Sequence, residues 1–393
     1  MQPFPLGTPS SQDIDTVAVR LLADAPVVRA TMGDGGDVWL ALSHDAVRQV
    51  LSDPRFSREA AMGPDAPVTV RSAYNPDVLT SMDPPKHSRT RRLMSRAFSP
   101  RAVDRLATRG QEIVAGLLDD VAAHGPPADL IELFVAPLPI IVICELMGVP
   151  YADRAAIRGW SERLLATTAY PPEEIVAAID EIRGYLAGLV AAKRADPTED
   201  LTTALIQVTD EGDALTETEL VANLQMLLIG GHETTVNQLG NSLVALFRHP
   251  DQLALLRDRP DLVGPAVEEL LRYARLMSST LPRVAVQDVE LGGRLIRAGE
   301  GVIAMLAAAN QDPAVFTAPD RLDIARTSPA QHLGFGHGPH FCLGAHLARF
   351  ELRTALTNLL ARFPNLAPAV DLSELVWKDG MPIRALRTLP VTW

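Results

Sequence analysis

The chain has 393 residues, 47% of them hydrophobic, and carries 48 acidic against 36 basic side chains for a net charge of −12. That length could hold two or three domains and a sizeable core, while the acidic balance argues against nucleic acid or an anionic membrane surface as the main partner. Two cysteines, Cys144 and Cys342, provide no disulfide framework. The start, MQPFPLGTPSSQD, lacks a basic n-region and an apolar h-region. The longest apolar runs, near Phe134 to Met147 and Leu224 to Gly231, are interrupted by proline or charge and too short to span a bilayer. The expectation is a cytoplasmic protein with no membrane segment.

Between Val27 and Leu42 two β-rich runs flank Met32-Gly33-Asp34-Gly35-Gly36-Asp37, a hairpin turn signal. Ala60 to Thr80 is rich in Pro, Gly and Ser and reads as a long loop, a place where lids are often built. Between Lys86 and Arg105 seven Lys or Arg residues stand against one acid, Asp104. A solvated helix face is the ordinary explanation of such a run. His87 and Arg91, however, are spaced i, i+4 and share one face. From Arg101 to about Arg194 helical periodicity dominates, with Ile175, Ile179, Ile182, Leu186 and Leu189 forming a stripe that reads as core. Cys144 lies in the apolar run Ile140 to Cys144 and reads the same way.

Thr216-Glu217-Thr218-Glu219 is a capping box that opens a helix able to run to Phe247 before Pro250. At 1.5 Å per residue it measures roughly 45 Å, enough to cross the molecule. Gly230-Gly231-His232-Glu233-Thr234-Thr235 stands in its middle, and two glycines there cost on the order of 2 kcal/mol of helix propensity. A tolerated kink, with threonine bonding back four residues, is one explanation; a local opening of the helix is the other. Glu269 and Arg272 are an i, i+3 pair, by itself an ordinary contact. Gly292-Gly293 and Trp377 to Met381 mark further hairpins.

The stretch His332 to Arg353 is the most informative. Glycines 334, 336, 338 and 344 surround Cys342, and a helical pattern with Leu343, Leu347 and Phe350 on one face begins directly after it. Burial explains neither the glycines nor the helix start. A cysteine at a helix N-terminus is electrostatically biased toward thiolate, the form an axial iron ligand requires. Phe335-Gly336-His337-Gly338-Pro339-His340-Phe341-Cys342-Leu343-Gly344 resembles the haem-binding loop of the cytochrome P450 monooxygenases at every fixed position.

The resemblance spans about Asp83 to Gly380 and implies a mainly α fold: one large helical domain over 1–393 with a small β-rich region (about 25–45, 283–305 and 372–393). Haem b is expected between the long central helix and the cysteine loop-helix, with Cys342 as axial ligand. Phe335 and Gly344 belong to the loop; His87, Arg91, Arg283 and His340 match haem-propionate ligands, since buried carboxylates need compensation. Glu233 and Thr234 match the acid–alcohol pair that delivers protons, next to a helix opened to admit O2. Glu269, Arg272 and Arg326 match a structural triad that supports the cysteine loop. Residue-wise alignment puts Met226, Ile229, Gly230, Thr280 and Ile383 along the substrate pocket, under a roof near Ala169 to Pro172.

The function so implied is a monooxygenase that hydroxylates or epoxidises an apolar small molecule, such as a macrolide, polyketide or terpenoid of secondary metabolism. Electrons from NAD(P)H would arrive through a ferredoxin reductase and an acidic ferredoxin, the latter docking on the remaining arginines of the basic stretch; the protein is expected to be a monomer. Two rival readings are a peroxide-driven haem oxygenase, which should lack the acid–alcohol pair, and a non-catalytic haem sensor or auxiliary protein, which tends to lose the axial cysteine.

Overall fold

The computed structural model describes the chain except residues 1, 7–12, 34–35, 65, 67–74, 98–99, 209–211 and 328–330, and gives the backbone alone for 2, 13–15 and 100–105. Helices α1 (Asp13–Asp24) and α2 (His44–Ser52) lie near a sheet. α3 (Lys86–Ala97), α4 (Pro100–His124), α5 (Pro137–Met147), α6 (Arg154–Leu165), α7 (Pro172–Ala195) and α8 (Leu201–Gln207) follow. α9 (Glu217–Arg248), α10 (Pro250–Asp258), α11 (Val263–Tyr273), the short α12 (Leu306–Ala309) and α13 (Ala345–Arg362) complete the helical set.

α9 is the axis of this arrangement. Thr216 and Glu219 close a reciprocal capping box at its start, and Pro250 follows its end. Its 32 residues measure about 48 Å. Residues on all its faces are buried, as a helix needs when neighbours surround it: α5, α6, α7, α10, α11 and α13 all pack on it. The approach of α5 is close enough that a Cβ on Gly231 would lie 2.8 Å from Ile143 Cδ1. The largest apolar core joins α4, α5, α9, α11 and α13. Ile182, Leu186 and Leu189 of the expected α7 stripe are buried in it, while Ile175 and Ile179 are half-buried.

The main sheet has six strands in the order β1 (Gln2–Phe4), β2 (Val27–Met32), β3 (Asp37–Ala41), β9 (Gly301–Ala304), β6 (Arg283–Ala285), β4 (Phe56–Ser57). β2 and β3 form the expected antiparallel hairpin, although Asp34 and Gly35 of its turn lie outside the described residues. β7 (Val289–Leu291) and β8 (Arg294–Ile296) are joined through Gly292-Gly293, both at positive φ, as a two-residue hairpin requires. β10 (Ala367–Pro368), β11 (Pro390–Thr392) and β5 (Ala128–Asp129) make a three-stranded sheet. The region 372–393 is less β-rich than its sequence suggests: besides β11 it holds only the bridges Trp377↔Leu386 and Met277↔Ile383 among the described residues. Of the expected loop 60–80, residues 65 and 67–74 lie outside the described residues. No described helix is long and apolar enough to cross a membrane.

Candidate active site

The cysteine loop leaves the apolar cluster of α2 and the main sheet at Leu333 and enters the largest core at Leu347 in the first turn of α13. The Cys342 amide donates to Phe335 O at 2.9 Å, closing the loop on itself. Gly338, at φ +70°, could carry no side chain: a Cβ would meet Leu51 O at 2.7 Å, so the loop is pressed against the end of α2. Cys342 is exposed by surface area, yet burial is the main influence on its thiol and pushes its pKa up; the Gly344 backbone N–H and the Arg91 and Arg349 charges act the other way. A sulfur facing a cleft inside the molecule satisfies both observations. Burial thus opposes the bias toward thiolate that the loop's backbone N–H and the two arginines supply.

Two charge networks are built on adjacent acids of α11, one tied to segment 310–326 and the other to His332 and Arg349, on either side of this loop. Glu269 accepts from Arg272 Nε and Nη2 at 2.8 Å each and from Arg326 Nε at 3.0–3.1 Å. Arg272 is fully buried and its remaining donors reach the carbonyls of Asn310, Pro319 and Arg321. The structure thus brings Glu269, Arg272 and Arg326 together. The second network was missed. Glu268 accepts from Arg349 at 2.7 Å twice and lies 3.1 Å from His332 Nε2. Burial would raise the Glu268 carboxyl, but Arg349 and His332 outweigh it and hold its pKa down at about 2. Arg349 also stacks over Phe335, 4.6 Å from the ring centre. The acid beside Glu269 and the arginine two turns after Cys342 were the available signal.

A cluster of basic groups lies beside the loop. The His87 and His340 rings are 4.3 Å apart. Burial, then Arg283, His87, Arg58 and Arg91, push the His340 pKa down to about 2. Burial and Arg91 depress His87, and burial with Arg58 brings Arg283 down to about 10. Among the described residues His87 Nε2 and Arg283 Nε are buried without a hydrogen-bond partner, although Arg283 Nη1 reaches Phe56 O. The one nearby carboxylate, Asp83, is occupied by Ser57 and the amides of Arg58 and Glu59. A mutually repelling buried cluster with orphaned donors fits an anion, and the two propionates of a haem meet that requirement. Arg89, of the same helix, is committed internally to Asp213 and Glu219. The side chains of Arg101 and Arg105 lie outside the described residues; Arg92 and Arg96 are exposed.

Met226, Ile229, Gly231 and Thr234 are half-buried and Gly230 is exposed on a helix otherwise closed in. α9 is assigned as one helix through 230–235. Thr234 donates its hydroxyl to Gly230 O, the back-bond four residues earlier that accompanies a tolerated kink. Glu233 is buried, and burial raises its carboxyl pKa; Lys378 and Asn237, which bonds it at 3.2 Å, pull the other way. Thr280 is half-buried, its amide donating to Ala304 O. Ile383 is 2% exposed and belongs to a small cluster with Ala166, Met381, Tyr170, Leu276 and Met277. That cluster ties the 165–170 segment to the C-terminal hairpin, where Thr167 and Thr168 donate to Gly380 O.

The cytochrome P450 family matches residues 172–373. The chain is 46% identical to nocardicin C N-oxygenase of Nocardia uniformis subsp. tsuyamanensis, over 99% of this chain and 98% of that protein. It is 44% identical to mycinamicin IV hydroxylase/epoxidase of Micromonospora griseorubida, over 94% and 92%. Among solved structures it is similar to the LnmA hydroxylase of the leinamycin pathway of Streptomyces atroolivaceus, with a TM-score of 0.93, 46% identity and full coverage of both chains.

Proposed function

Because the chain belongs to the cytochrome P450 family and is a haem-thiolate monooxygenase, we propose that Cys342 supplies the thiolate and that the substrate is an apolar secondary metabolite, a macrolide, polyketide or terpenoid, which is hydroxylated or epoxidised. When bound, the haem supplies the reduction of O2 and the transfer of one oxygen atom. The chain's own residues provide the rest. Phe335 and Gly344 shape the loop around the sulfur, and the Glu268 and Glu269 networks fix that loop to α11. His87, Arg91, Arg283 and His340 compensate the two haem carboxylates, the histidines as hydrogen-bond donors.

Burial raises the pKa of the Glu233 carboxyl, which suits it to proton transfer, and the adjacent Thr234 offers a hydroxyl for delivery into the cleft. Met226, Ile229, Gly230 and Thr280 line the substrate side; Ile383 supports them from the satellite cluster. The observation that carries this reading is the accessible stripe at 226, 229, 230 and 234 on a helix whose other faces are buried. Mycinamicin IV and nocardicin C, named for two relatives, show the range of ligand to probe. Electrons come from NAD(P)H through a ferredoxin reductase and a ferredoxin, which Arg92 and Arg96 can attract. The chain works as one domain, since α9 touches most of the helical set.

Two spectra test the reading. The reduced, carbon-monoxide-treated holoprotein is expected to show the far-red Soret band of thiolate ligation, lost in Cys342→His. A panel of macrolides, polyketides and terpenoids is expected to contain compounds that shift the resting Soret band. Haem bound with no such band, or no shift across the panel, overturns the corresponding half of the proposal.

A further inference from the structure

His232, between Gly231 and Glu233, has no role so far. It is 1% exposed, and among the described residues neither ring nitrogen meets a hydrogen-bond partner. Burial, then Arg158 and Lys378, push its pKa down to about 3, so at neutral pH the ring is uncharged and carries one N–H donor and one lone pair. Such a group is costly to leave unsatisfied, and buried polar sites of this kind usually hold ordered water. Glu233 Oε1 is 3.7 Å from His232 Nδ1, beyond a hydrogen bond and within the span of one bridging water.

The same two cations, Arg158 of α6 and Lys378 of the C-terminal hairpin, act on both His232 and Glu233, with Glu162 of α6 acting on Glu233 as well. Lys378 Nζ bonds Glu162 Oε1 at 2.8 Å with both side chains partly exposed, and Arg158 pairs with Glu132 at 3.0 Å, also in contact with solvent. The two cations that act on both buried groups thus each sit in a pair that reaches solvent. Glu233 itself is held at its inner end by Asn237.

We propose that His232 is a positioning residue of the proton route: it holds ordered water between Glu233 and the solvent-reaching Glu162–Lys378 ion pair. The imidazole keeps its own proton throughout. It donates to one water and accepts from another, so that as each water passes a proton toward Glu233 it receives one from the solvent side. This inference rests on the reading of Glu233 as the proton-delivering acid.

The exchange of the Glu233 proton with solvent reads this directly, without turnover. Holoenzyme is transferred into D2O and the shift of the protonated carboxyl C=O band is followed by infrared spectroscopy, with Glu233→Gln used to assign the band. His232→Leu, which keeps bulk and removes both polar atoms, is expected to slow that shift at least tenfold. His232→Gln, which restores a donor and an acceptor, is expected to recover most of the rate, and it carries the test should the leucine variant fold poorly. Unchanged exchange in His232→Leu overturns the inference. Equal slowing in both variants also overturns it, because lost packing would then suffice. A band that survives Glu233→Gln overturns the reading of Glu233 as a protonated acid and leaves that failure distinct from the other two.

Discussion

The hydroxyl of Thr234 donates to the carbonyl oxygen of Gly230, one turn earlier in α9. The bond engages a helix carbonyl where two glycines already weaken the helix, and it fixes the threonine oxygen on the accessible side, one residue after the buried Glu233. Thr234→Ala removes the hydroxyl and little else. Product formed per NADPH consumed is expected to fall at least tenfold, within the range general acid–base groups contribute, with peroxide released instead. Haem content and melting temperature are expected to hold. Unchanged coupling would remove Thr234 from proton delivery.

The adjacent glycines answer to different constraints. A Cβ on Gly231 meets Ile143 at 2.8 Å, while one on Gly230 meets nothing within 4 Å. Gly231→Ala is therefore expected to destabilise by about 1–3 kcal/mol through overpacking. Gly230→Ala should stabilise by up to about 1 kcal/mol from helix propensity alone, while altering substrate-induced Soret shifts. Urea unfolding of the two variants distinguishes them; the same sign for both contradicts the packing described.

Glu269 neutralises two arginines, one of them fully buried. Glu269→Gln leaves the Arg272 charge uncompensated, at an expected cost of about 3–5 kcal/mol. Since the network backs the cysteine loop, haem retention should fall with stability. Thermal unfolding and haem content measured together check this, and a variant as stable as the parent excludes it.

Arg283 is expected to show opposite effects in the two forms of the protein. Its depressed pKa reflects burial and the Arg58 charge, so Arg283→Met should leave the haem-free protein as stable as the parent or more so. Haem transfer to apomyoglobin from the same variant should be faster, by about tenfold for one lost charge-assisted contact. Slower transfer than the parent contradicts a propionate role.

Glu268 supplies an acid-side pH dependence. Its folded pKa, near 2, lies below its ordinary value of 4.5. The unfolded chain therefore binds a proton first on acidification, and the stabilisation this group contributes is complete above about pH 4.5 and is lost toward pH 2. Glu268→Gln is expected to flatten the stability curve in that window and nowhere above it. Unfolding midpoints collected from pH 6 to 2.5 decide the matter.

Local order along the chain, and the family, were legible without coordinates. The Thr216 capping box, the glycine pair of the β7–β8 hairpin and the loop around Cys342 each need particular residues at fixed short spacings, and short spacings are visible in a linear string. The balance between competing forces was not. Whether the helix N-terminus or burial controls the Cys342 thiol, whether α9 opens at Gly230-Gly231, and whether Arg89 faces solvent or Asp213 and Glu219 all turn on neighbours far away in sequence. The partnership of Glu268 with Arg349 and His332, and the isolation of His232, arise only when α11, α13, α6 and the C-terminal hairpin converge on α9. Desolvation and pairing depend on what surrounds a group in three dimensions, and for those the tertiary structure alone was decisive.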